Sequence, residues 1–295
     1  MQHLLSLWCQ YSFMIFTYSF MRYLLTFLIG WFLCLYALSA QTIEELVLKS
    51  YEYTDARDWP AAEECLKAAM HLEPAHRLNY ALLTNLGTIQ RRQGKYDEAL
   101  ESYSAALGQM PQDETILINR AELFTEMGET DKAIADYNML IIKSPSHEKG
   151  LYNRGLLYTN TGEYLLAESD FMLIIQTNKD TFWGRLGYAI LEKARGNYGE
   201  SEIIFTYLSD KYPENLRVIE ERAELFFLTR RNGRALSDLN KVFAAILEPS
   251  AELFMLRGRI RLARSEKASA AIDFKKAREL GYDPETVERL LKECY

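Results

Sequence analysis

Four arginines and four aspartates recur in step along this chain. Arg120, Arg154, Arg222 and Arg257 are each followed sixteen residues later by an acid: Asp136, Asp170, Asp238 and Asp273. A guanidinium is a planar fork that matches a carboxylate, so the set offers either internal ion pairs or, if the acids lie elsewhere, a basic stripe for phosphate. The shared spacing favours ion pairs between two helices of one unit, because pairing each Asp with the next Arg would match only part of the set. Three asparagines, Asn85, Asn119 and Asn153, recur every 34 residues. An Asn amide both donates and accepts, and can therefore read the backbone of an extended peptide.

Other chemistry is sparse. There is no G-x-x-x-x-G-K-[ST] phosphate loop; Gly94-Lys95 is followed by Tyr96, without the hydroxyl that would hold a metal. No H-E-x-x-H helix and no G-x-S-x-G elbow occurs. Cys65, His71 and His76 match no usual metal spacing and lack a fourth ligand. The adjacent carboxylates Glu63-Glu64 and Glu220-Glu221 read as solvated faces, since neighbours on a helix point different ways. Arg230, Arg231 and Arg234 read as a solvated turn. These observations predict a non-enzyme with no metal and no cofactor. A net charge of -7 and a pI near 5.4 argue against a nucleic-acid partner.

Charge is unevenly distributed. Residues 1–40 hold a single charged side chain, Arg22, so the remaining 255 residues of the 295 carry 33 basic and 41 acidic groups. Met21-Arg22, the apolar run YLLTFLIGWFLCLYA and then LSA-Q are the three parts of a secretory signal, with cleavage expected after Ala40. Residues 1–20 fit badly before such a signal, and Met21 is the expected true start. The alternative is an uncleaved membrane anchor over residues 23–38, since ~20 apolar residues span a bilayer. No Asn-x-Ser/Thr follows residue 40, which favours a bacterial, secreted or periplasmic protein.

The rest of the chain repeats. Starting units at 43–76, 80–113, 114–147, 148–181, 182–215, 216–249 and 251–284 aligns seven copies of 34 residues. The eighth residue is then Ser50, Gly87, Ala121, Gly155, Ala189, Ala223 and Gly258; the twentieth is Ala62, Ala99, Ala133, Ala167, Ser201, Ala235 and Ala270. All are small, as two closely crossing helices require. The twenty-fourth is large: Leu66, Tyr103, Tyr137, Phe171, Phe205, Leu239 and Phe274. Gly94, Gly128, Gly162 and Gly196 stand where the first helix must stop, and Pro111, Pro145 and Pro213 follow second helices, which Pro cannot continue.

Leu83-x2-Leu86-Gly87, Ala99-x3-Tyr103 and Pro111 resemble the tetratricopeptide-repeat pattern W-x2-L-G-x2-Y, A-x3-F, P. Arg185 in place of an apolar fourth residue, and Lys179 in place of Pro, are local departures. The resemblance implies an all-α, right-handed superhelical solenoid of about seven helix-turn-helix repeats. Residues 285–295 are expected to form a C-terminal capping helix. It also implies a concave groove lined by first helices, into which Asn85, Thr88, Asn119, Glu122, Lys149, Tyr152, Asn153 and Trp183 would fall. Arg154 is one place off the register of a carboxylate clamp. The expected function is an exported scaffold that binds another protein or peptide; the alternative is a membrane-tethered envelope assembly or chaperone-like factor. Peptide sequencing of the exported protein is expected to begin at Gln41, and residues 1–20 in the mature chain would refute the signal.

Overall fold

The computed structural model describes residues 42–74 and 76–295, and the proposed leader lies outside them. The described residues form helices joined by short turns, without strands. Two compact units divide after Gln109. In the first, α1 (Ile43–Asp55) folds back on α2 (Trp59–Leu72), and α3 (Asn79–Arg92) on α4 (Tyr96–Gln109). The second holds five such pairs: α5 (Glu114–Glu126) with α6 (Thr130–Lys143), α7 (Glu148–Thr161) with α8 (Tyr164–Thr177), α9 (Phe182–Arg195) with α10 (Tyr198–Lys211), α11 (Leu216–Leu228) with α12 (Asn232–Ala245), and α13 (Ala251–Ala263) with α14 (Lys267–Glu279). A last helix, α15 (Pro284–Cys294), packs on α14.

Local chemistry sets where these helices begin. Six first helices are preceded by a capping side chain. Thr42, Asp113, His147, Thr181, Asn215 and Ser250 each accept a hydrogen bond from the backbone N–H three residues on. The exception is α3, which starts one residue before the repeat start at position 80 and has no side-chain cap. There the buried Asn79 donates to the carbonyls of Glu73 and Pro74 at 3.2 and 2.6 Å and ties down the three-residue insertion.

The turns inside the pairs are more regular than their residues. Gly94, Gly128, Gly162 and Gly196 have φ of +74°, +75°, +82° and +83°. Arg57, Arg230 and Ser265, at the same repeat position, have φ of +58°, +60° and +64°. In all seven the next residue's N–H reaches back five residues, from Asp58 to Tyr53 O (2.8 Å) through Glu266 to Arg261 O (2.9 Å). This is the 6→1 bond of a Schellman turn, and it requires a left-handed residue whether or not glycine occupies the place.

Packing follows the small–small–large rule. The seven residues at the twentieth position are wholly buried, and those at the twenty-fourth are no more than 1% exposed. A Cβ on Gly87, Gly155 or Gly258 would lie 2.8, 2.7 or 2.5 Å from the ring of Tyr103, Phe171 or Phe274. These glycines are there for close approach, not for turning. At the C-terminal end Val287 and Cys294 of α15 are buried against Met255, Phe274 and Ala277, so the cap covers the last knob.

Arg230→Gly removes a side chain from a left-handed residue, a gain of about 1–2 kcal/mol, partly offset by the greater freedom of an unfolded glycine, about 0.4–1 kcal/mol. Urea unfolding is expected to show net stabilisation of about 0.5–1 kcal/mol; a destabilised variant would mean that Arg230 earns its place through its side chain.

Candidate functional site

Each repeated arginine meets the aspartate of its own repeat. Arg120 donates from Nε and Nη2 to Asp136 Oδ2 and Oδ1 at 2.8 and 2.7 Å, and Arg154 to Asp170 in the same way at 2.9 and 2.6 Å. Arg222 and Asp238 repeat the fork at 2.7 and 2.9 Å. Arg257 reaches Asp273 at 3.1 and 2.7 Å, and Arg261 adds a contact of 2.8 Å to the same carboxylate. The third nitrogen of Arg154 donates to Asn138 Oδ1 of the preceding repeat at 2.6 Å, and that of Arg222 to the Ser209 hydroxyl. Each pair therefore joins two helices of one repeat, and those of Arg154 and Arg222 also touch the repeat before. Burial raises the Asp170 carboxyl above its usual range against the pull of Arg154.

The asparagines differ in their surroundings. Asn85, on α3 of the first unit, donates to the Tyr51 hydroxyl at 3.4 Å. Nearby Thr88 shares a 3.0 Å bond with the Tyr103 hydroxyl. Asn119 is half-buried on α5. Asn153, on α7, donates from Nδ2 to the hydroxyl of Tyr137, the large knob of the preceding repeat, at 3.0 Å. Where the knob is Phe171, without a hydroxyl, the next repeat carries Gly187 at the asparagine position, and a Cβ there would lie 2.2 Å from the ring. Part of the asparagine pattern thus answers a packing need.

Lys149, Tyr152 and Asn153 of α7 and Trp183 of α9 line one cavity of about 160 Å³ within the second unit. Trp183 is 46% exposed, whereas Tyr152 is 7% exposed and its ring lies 4.9 Å from that of Trp183. Phe182 backs the indole edge-on at 5.0 Å. Lys149 Nζ pairs with Glu122 Oε1 at 2.7 Å across from α7 to α5. Burial pushes the Tyr152 hydroxyl up to about 12, so it remains a neutral donor and acceptor. The cavity combines an apolar wall with a few polar groups, the usual make-up of a recognition pocket.

Two carboxylates expected to be solvated are not. Glu63 is 4% exposed; its oxygens pair with Lys67 at 2.6 Å and Lys95 at 2.8 Å, and Gln93 donates at 2.7 Å. Glu221 is 7% exposed and pairs with Lys193 at 2.6 Å and Arg217 at 2.8 Å. The reason is the neighbouring repeat, which adjacency within one helix does not reveal. Glu63, Glu168 and Glu202 share the twenty-first position of their repeats, and each meets a base at the turn of the next: Lys95 at 2.8 Å, Arg195 at 2.6 Å and Arg231 at 2.6 Å. An acid at the twenty-first position followed by a base near the turn of the next repeat was the available sequence signal for this second set. Among the described residues, no three His, Cys, Asp or Glu side chains are grouped as a metal would need.

Tetratricopeptide-repeat models match residues 48–114, 90–148 and 148–181. The crystal structure of a tetratricopeptide repeat protein from Parabacteroides merdae is 54% identical, with 86% of this chain and 99% of that chain covered and a TM-score of 0.74. Cut9–Hcn1 of the APC/C is similar in fold at 13% identity, with 85% and 55% covered and a TM-score of 0.64. PilW, a type IV pilus biogenesis factor, is similar at 19% identity, with 72% and 98% covered and a TM-score of 0.58. No curated protein matches the sequence.

Two stability measurements probe the buried charges. Asp170→Ala leaves Arg154 buried without its partner, a loss of about 3 kcal/mol. A double-mutant cycle with Arg154→Ala is expected to show coupling of about 0.5–3 kcal/mol, and strict additivity would refute the pairing. For Glu63, burial favours the protonated form, but hydrogen bonds from Lys67, Lys95 and Gln93 prevail and lower its pKa from 4.5 to about 2. Its contribution is therefore present above the unfolded pKa and is lost as pH falls from about 4.5 to about 2. At about 1.4 kcal/mol per unit this amounts to at most about 3.5 kcal/mol, reduced by solvent screening of the half-exposed Lys67 and Lys95 to about 2–3 kcal/mol, and Glu63→Gln should abolish that part of the acid sensitivity of unfolding.

Proposed function

Because the chain belongs to the tetratricopeptide-repeat family, we propose that it is an exported, non-enzymatic scaffold that holds a peptide segment of another protein on the first helices of its fourth and fifth repeats. Repeats of this family build protein-interaction scaffolds. The observation that carries the finer reading is the cavity of Lys149, Tyr152, Asn153 and Trp183, the place where exposed aromatic surface and polar groups converge on first helices. A half-exposed indole on a buried tyrosine resembles the aromatic anchors that dominate binding energy at interfaces.

Export rests on the leader described above. Among the described residues no helix is long and apolar enough to cross a membrane, so the alternative, a membrane-tethered assembly or chaperone-like factor, would draw its tether from residues 23–38. The pilus biogenesis factor PilW shares the fold at 19% identity, which does not transfer its role to this chain. Cell fractionation separates the two readings.

A pull-down from the native envelope supplies the partner. Against that partner Trp183→Ala is expected to cost about 2 kcal/mol, roughly thirtyfold in affinity, with helical circular dichroism retained. Unchanged affinity would move the binding surface to the second helices or the turns.

A further inference from the structure

The last two repeats carry charge of the opposite sign to the chain as a whole. Residues 229–268 hold nine basic side chains against four acidic ones, in a protein of net charge -7. Part of this excess gathers where the turn of the sixth repeat meets the turn of the seventh. Asn232 Nδ2 donates to the Ala263 carbonyl at 3.5 Å, and the Arg264 guanidinium lies over Gly233, 3.3 Å from where a Cβ would stand. Arg231 and Arg234 both flank the Phe226 ring, 4.7 and 5.8 Å from its centroid. One edge of the two repeats therefore presents Arg230, Arg231, Arg234 and Arg264.

Few carboxylates answer these cations. Arg231 forks Glu202 at 2.6 and 2.8 Å, and Arg264 meets Glu266 at 2.6 Å. All four partners are partly open to water, where an ion pair contributes little and yields to a competitor. Arg230 and Arg234 are exposed, and among the described residues no carboxylate pairs with either. Glu202 is within electrostatic reach of Arg234 but is already forked by Arg231.

The backbone adds a separate observation. Arg230 is held left-handed at φ +60°, where four other repeats place glycine. Its side chain is kept there against a steric cost and finds no ion-pair partner inside the molecule, so its use lies outside it. Arg57 shares the conformation, but Asp55 and Asp58 flank it in sequence and its turn carries no positive excess.

Charge complementarity calls for an anion, and the layout selects its form. Cations spread over two turns suit several carboxylates in a row better than one phosphate, on which they would have to converge. A nucleic acid would meet the protein's net negative charge along its length, whereas a short segment meets the edge alone. We propose that the turn edge of the sixth and seventh repeats docks a short acidic segment of a partner protein, its carboxylates on Arg230, Arg234 and Arg264. This surface shares no residue with the α7–α9 cavity and is independent of it.

The test is fluorescence anisotropy of fluorescein-labelled hexaglutamate, with hexaglutamine as the neutral control, titrated with the purified protein in about 50 mM salt. Hexaglutamate is expected to bind and hexaglutamine not. Arg230→Gly combined with Arg234→Gln is expected to weaken binding roughly tenfold or more, as is raising the salt to about 0.3 M. The melting point should not fall in the variant, since glycine relieves the left-handed residue. Trp183→Ala should leave hexaglutamate affinity unchanged. Equal binding of hexaglutamine, or unchanged affinity in the double variant, would overturn the acidic-segment assignment while leaving the scaffold reading in place. Capture of the protein by phosphatidylglycerol vesicles without hexaglutamate binding would give the edge to a lipid surface instead. Loss of hexaglutamate binding in Trp183→Ala would return it to the cavity.

Discussion

Everything in this molecule is arranged around one steric constraint: a large side chain at the twenty-fourth place of each repeat must fit where two helices cross. The knob is fully buried in every repeat, and the eighth and twentieth residues opposite it stay small. Where the knob is Tyr103, Phe171 or Phe274, the eighth residue is glycine, and even one added carbon would come within 2.5–2.8 Å of the ring. Interiors are packed closely enough that such an overlap has no cheap relief. The constraint reaches into the next repeat as well, because Phe171 also fills the place a side chain on Gly187 would need.

Close helices bring polar groups inside with them. The Arg–Asp forks sit between the two helices of a repeat with the aspartates 1–4% exposed. Burial works against ionising Asp170 even with Arg154 bound to it, so such a pair gains little over well-packed apolar residues while heavily penalising loss of either member. Its value lies in geometry. A bidentate fork fixes the rotation of one helix against the other, and the third nitrogen of Arg154 or Arg222 extends that fixation to the repeat before. The Glu63–Lys95, Glu168–Arg195 and Glu202–Arg231 contacts do the same at the turns.

What the sequence disclosed, and what it concealed, divides along the same line. Size and period are properties of residues, so the small and large positions were legible, as was the sixteen-residue Arg–Asp spacing. Backbone conformation is set by hydrogen-bond closure. Arg57, Arg230 and Ser265 adopt the left-handed turn of their glycine counterparts although nothing in their side chains announces it. Glu63 and Glu221 read as solvated because one partner of each, Lys95 and Lys193, comes from a neighbouring repeat. The asparagine series looked like a binding ladder, yet Asn153 spends its amide N–H on the hydroxyl of Tyr137. A ligand reading of a repeated polar residue has to be weighed against the knob beneath it.

The placement of the cavity follows from that knob. Phe171 is flanked by glycine on both sides, Gly155 in its own repeat and Gly187 in the next, with added carbons falling 2.7 and 2.2 Å from its ring. Elsewhere the sixth residue is Leu48, Asn85, Asn119, Asn153, Glu221 or Leu256, each larger than glycine. Two glycines around one ring let α7 and α9 close on Phe171, and the rings that flank this contact, Tyr152 and Trp183, come to 4.9 Å of each other while Tyr152 lies 6.2 Å from Phe171. The aromatic shelf is thus an outcome of core packing carried to the surface. A phenylalanine knob without a hydroxyl to satisfy permits glycine at the sixth place, glycine permits the approach, and the approach assembles an aromatic surface that no single repeat contains.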